Sequence, residues 1–125
     1  MLLLDERIRA DGAHACTWAS CDDERVQIRD DDGASGELAL GVVDQVMQRY
    51  GRPIDDGIAL DGESLRCGQY TLRRLRHRAA VDAEGRDYLV WERPGHVPLV
   101  GMAATATAAL RFLMNRVTRG VPSGI

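Results

Sequence analysis

Apolar residues recur along this chain with two periods, and the changes of period mark its elements. Val26 and Ile28 alternate with Arg25, Gln27 and Arg29, the pattern of a half-buried strand over residues 24–30. Residues 14–20 alternate in the same way, with small Ala15, Thr17 and Ala19 on one face and Cys16 and Trp18 on the other. Residues 21–23 between them are short enough for a hairpin. The period then lengthens. Ala39, Leu40, Val42, Val43, Val46, Met47 and Tyr50 form a one-sided helical stripe. It predicts a helix over 35–50, with Ser35 as N-cap, Glu37 in the first turn, Gly51 as the C-terminal stop and Pro53 preventing continuation.

Residues 57–93 read as a meander. Short strands over 58–60 and 65–67 flank the Asp61-Gly62 turn. A longer strand over 70–81 then turns at 82–85 and returns over 86–93. Leu72, Leu75 and Ala79 also fit a helical period, but the β-rich run Tyr88-Leu89-Val90-Trp91 wants an antiparallel neighbour, which favours the strand. Within 86–93, Tyr88, Val90 and Glu92 share one face, and Leu89 and Trp91 the other. Residues 2–11 read as a short helix, since Leu4 and Ile8 lie one turn apart and Gly12 follows; a strand is the alternative. Residues 99–119 read as an Ala-rich helix ended by Gly120 and Pro122. Between Leu99 and Leu110 its polar residues are Thr105 and Thr107, so it is apolar all round, which points to burial on more than one side.

No internal repeat and no long linker breaks the pattern. The 125 residues predict a single domain over 1–125, long enough for one core. The predicted fold is α+β: an antiparallel sheet of about five strands with the two long helices packed on one face and an Arg-rich, solvated outer face.

Composition adjusts this picture in a few places. The chain is 45% apolar and 28% charged, ordinary for a globular protein. Every basic residue is Arg. Arg, Ala, Gly and Asp have GC-rich codons, which indicates a bacterial genome of high GC content. The lack of Lys excludes a Schiff-base mechanism and the P-loop lysine. Three cysteines rule out a complete set of intramolecular disulfides. Leu2-Leu3-Leu4 runs straight into Asp5, Glu6 and Arg7, unlike a secretory leader, and the longest uncharged stretch, residues 94–110, falls short of the roughly 20 residues of a membrane span. The expectation is a cytoplasmic protein that does not enter a membrane. The net charge of −3 is unevenly spread, with residues 1–63 acidic and 64–125 basic, as when two halves pair across one fold or one face meets an anion.

Candidate chemistry is sparse. His14, Cys16 and Cys21, with Cys67, are the most metal-like group, but strand alternation turns Cys21 away from His14 and Cys16, and the spacing is not that of paired zinc knuckles; no metal is expected. Asp30, Asp32 and Gly33 resemble part of a calcium loop whose first and last ligands would fall on Ile28 and Ala39, which cannot ligate. Arg74, Arg76 and Arg78 share a strand face with Tyr70 and Leu72, a possible anion-binding row with a stacking ring, close to single-strand chemistry. The acidic balance argues against nucleic acid as the partner. His96, in a Pro-Gly turn, is the best-placed candidate base. No nucleophile elbow or glycine-rich nucleotide loop is present, so no cofactor is expected and no catalytic residue is assigned.

Three functions follow. The leading one is a non-enzymatic protein-interaction module, a homo-oligomer or adaptor working through the over-apolar C-terminal helix. The others are a small enzyme using His96 or a cysteine, and an anion or nucleic-acid binder using strand 70–81.

Overall fold

The computed structural model describes residues 1–54, 62–75 and 87–118. Strands β1 (Leu2–Ile8), β2 (His14–Cys21), β3 (Arg25–Asp30) and β4 (Ser35–Ala39) form an antiparallel sheet in chain order. Helix α1 (Leu40–Tyr50) follows directly, then the two-residue strand β5 (Arg52–Pro53). Strands β6 (Ser64–Cys67), β7 (Tyr70–Leu75), β8 (Tyr88–Glu92) and β9 (Leu99–Met102) form a second antiparallel sheet, with β5 added beside β9. Helix α2 (Ala103–Thr118) follows β9 without a loop.

The fold is therefore α+β with two antiparallel sheets of four and five strands and two helices, where one sheet was expected. The same plan occurs twice: four consecutive antiparallel strands, the last running straight into a helix. The repeat lies in the backbone path and leaves no trace in residue identities. The helices cross between the halves. Helix α2 lies against β4 and β1 of the first sheet as well as β8 and β9, while α1 lies against β9 and against β3 and β4. One apolar cluster joins residues of both sheets and both helices, including Leu4, Ile28, Met47, Trp91 and Met114, each fully buried.

Several boundaries move for one reason, the demand of strand edges for partners. Residues 2–8 are a strand rather than a helix. Leu2 and Leu4 point into the core and the strand pairs along β2, with a register irregularity at Leu4, while Ile8, which suggested the helical spacing, is exposed. Residues 35–39 pair with β3, so α1 starts at Leu40 behind Ala39, which supplies no side-chain cap. Gly33, at φ +94°, makes the preceding turn. Residues 99–102 pair with β8, so the C-terminal helix loses its first turn to the sheet. Strands β2, β3 and β8 and the buried stripe Val43, Val46 and Met47 of α1 stand as expected from the sequence. The expected strand 58–60, the turn 82–85 and the end of strand 70–81 lie outside the described residues.

Two glycines let α1 and β9 meet. A Cβ on Gly101 would sit 3.2 Å from the Tyr50 carbonyl oxygen, and one on Gly51 would sit 3.2 Å from the Leu99 Cβ and 3.4 Å from the Val100 carbonyl oxygen. The C-terminal end of α1 is thereby set against the strand that leads into α2.

Candidate functional site

Helix α2 buries Ala103, Ala106, Thr107, Leu110 and Met114, one face at helical period. That choice turns the other face outward, where the sequence again places apolar residues. Ala104, Ala108 and Phe112, four residues apart, are exposed, with Phe112 at 62%. Helix α1 presents Val42, Gln45, Arg49 and Tyr50 beside them, and the helices enclose an open groove of about 890 Å³. Its walls are chiefly apolar; among the described residues, Arg49 and Arg116 are its charged groups and no Asp or Glu lines it. Each Arg lies over an exposed ring, Arg49 5.6 Å from the centre of Tyr50 and Arg116 5.8 Å from that of Phe112, so both cations are held at the groove by cation–π contact.

Of this site, the α2 wall was legible in the sequence. The α1 wall was not: Tyr50 reads there as part of the core stripe, and the structure leaves it 40% exposed. The signal was its place beside Arg49 at the last turn of the helix, where the stripe drifts off the buried face.

The predicted anion row has a different setting. Arg74 shares a face with Tyr70 and Leu72 as expected, but that face points inward. Arg74 is buried and ion-paired with Asp87, and Tyr70 stacks on Trp91 with ring centres 4.7 Å apart and planes 17° apart. Arg73, on the opposite face of β7, pairs with Glu92 at 3.3 Å. The expected solvated, Arg-rich outer face therefore does not include Arg74. Arg76 and Arg78 lie outside the described residues.

The metal-like group is dispersed. His14 is exposed at the start of β2, Cys16 packs beside Asp31, and Cys21 at the strand's end donates to the Arg66 carbonyl oxygen at 2.9 Å. Among the described residues, no three His, Cys, Asp or Glu side chains converge as a metal site. Cys21 and Cys67 are free thiols whose side chains meet. Burial pushes both thiols up, Cys67 far above the ordinary value, so neither supplies a ready thiolate. Burial, then the Asp31 carboxylate, raises Cys16 as well. His96 is exposed in the turn closed by its own N–H to the Arg93 carbonyl at 3.3 Å, and it lines neither the helix groove nor a smaller cavity of about 290 Å³ over the outer face of the first sheet.

One buried polar network is structural. Asp30, at the end of β3, accepts from Thr17 Oγ1 at 2.6 Å and from Arg111 Nε, 3.1 Å from each carboxylate oxygen. Arg7 donates to the same Thr17 hydroxyl at 2.9 Å. The network ties the first sheet to the buried side of α2, away from the groove. Among the described residues, no helix is long and apolar enough to cross a membrane. Comparison of the chain with protein-family models, with curated proteins and with solved structures gives no match.

Proposed function

We propose that this chain is a non-enzymatic protein-interaction module that docks its partner in the groove between α1 and α2. The observation that carries the reading is the outward apolar face of α2, with Phe112 at 62% exposure and Tyr50 at 40% across from it. Large apolar groups gathered in one open groove are a common mark of an interaction surface, and exposed aromatics and Arg are the residue types that dominate binding energy at such surfaces. Ala104 and Ala108 lower the groove floor so that another backbone can approach. Three free thiols fit a reducing compartment, in keeping with a cytoplasmic role.

The test is selection of binding peptides from a displayed random library on the wild-type protein, followed by measurement against Phe112→Ser. Phe112 contributes little to the core, so this variant should keep the wild-type melting temperature. Selected peptides that bind in the micromolar range and lose at least tenfold on Phe112→Ser support the reading. Peptides that bind both proteins equally, or a library that yields no binder, overturn it.

A further inference from the structure

Resting on that reading, we infer that the occupant of the groove is an amphipathic helix of another protein, apolar along one face and carrying carboxylates near both ends. The charge around the groove carries the argument. The chain has 19 acidic residues and a net charge of −3, yet among the described residues no acid lines the groove and two Arg do. Their placement is specific. Gly101 lies against the Tyr50 backbone, so Arg49 stands at the N-terminal end of α2. Arg116 is twelve residues beyond Ala104, which is about 18 Å along the helix axis. The groove thus has a cation toward each end, Arg116 lying over the Phe112 ring, and an apolar floor between them, where Val42 and Ala108 lie.

A helix of about three turns spans that length. Its apolar residues at i, i+3, i+4 and i+7 would rest on the floor, and an Asp or Glu at each end would meet an Arg. A second copy laid face to face on the groove brings its own Arg49 and Arg116 and, among the described residues, no acid from that face, so like charges would confront each other. A small apolar acid, with one carboxylate, would use one Arg and leave the other idle.

The probe is a displayed library of 18-residue helices with a fixed apolar face and randomised flanks, selected on the wild-type protein at low salt. The expected result is enrichment of Asp and Glu in both flanks. Binding of the enriched peptides should weaken with added salt, and should fall at least tenfold in Arg49→Glu and in Arg116→Glu. Exchanging the matching flank acid for Arg should restore much of the loss on the charge-reversed variant. Both substitutions are at exposed positions, and circular dichroism checks that each variant is folded. Helices that bind, and lose binding on Phe112→Ser, but show no acidic flanks overturn the inference and leave the docking groove standing. An absence of binders overturns both. Concentration-dependent dimerisation abolished by Phe112→Ser would make a second copy the occupant and overturn the inference, as would binding that ignores both Arg reversals.

Discussion

Arg111 of α2 holds Asp30 of β3 end-on, its Nε 3.1 Å from both carboxylate oxygens, with the Asp30 side chain 2% exposed. The contact spans 81 residues of sequence and fixes the C-terminal helix to the first sheet. Removing one partner of a buried ion pair strands the other without compensation. Arg111→Met should therefore destabilise the fold by about 2 kcal/mol, toward the lower end for such losses because Thr17 and Arg7 still face the carboxylate. Combining it with Asp30→Asn should recover part of that loss. Urea unfolding of the two single variants and the double variant measures the coupling, and strictly additive losses would mean that the pair does not act as a unit.

The two faces of α2 should answer mutation differently. Leu110 is 1% exposed and Phe112 is 62% exposed, two residues apart. Leu110→Ala leaves a cavity and should cost about 2–5 kcal/mol. Phe112→Ser should shift stability by about 0.5 kcal/mol or less while lowering the binding of an apolar dye. Equal losses at the two positions would mean that the outward face is covered.

Acid should act on the fold with two opposite signs. Asp22 accepts from the backbone N–H groups of Glu24 and Arg25 at 2.8 and 2.9 Å, and these bonds, that to Glu24 foremost, hold its carboxyl below the ordinary 3.8. Its contribution is present above pH 3.8 and is lost as pH falls through the lower folded value. The stability gap between wild type and Asp22→Ala should therefore be full at neutral pH and shrink in strong acid. Asp5 is raised above 3.8, chiefly by burial. Ionised Asp5 opposes folding, and the opposition disappears once acid protonates it. Asp5→Asn should stabilise at neutral pH, with a gain that vanishes as pH falls below 3.8. Melting temperatures of the three proteins across this range check both signs.

The cysteines should be available and slow. Burial raises Cys67 and Cys21, and burial with the adjacent Asp31 carboxylate raises Cys16. Because the thiolate is the reacting species, a disulfide reagent near neutral pH should modify the native protein far more slowly than free cysteine. In denaturant, all three thiols should titrate rapidly. A native thiol reacting at the free-cysteine rate would show an activated nucleophile and favour an enzymatic role.

Residue pattern alone determined the elements whose two faces differ. Val26 and Ile28 against Arg25, Gln27 and Arg29 can be satisfied by one strand with one face in water. Val43, Val46 and Met47 fit one helix stripe, and both assignments agree with the structure. The outward apolar residues of α2 were legible as an excess that one sheet contact cannot hide. Tertiary structure decided what pattern leaves open. A run such as Ser35–Ala39 or Leu99–Met102 has too few residues for its period to separate strand from helix, and the unpaired edges of β3 and β8 drew both into sheets. Packing likewise settled which face of β7 turns inward. Burying Leu72 carries Arg74 with it, since their side chains share that face, and Asp87, thirteen residues away, balances the charge. The groove wall formed by Arg49 and Tyr50 exists because Gly51 and Gly101 let α1 and β9 come together, a meeting of distant backbones that local periodicity does not encode.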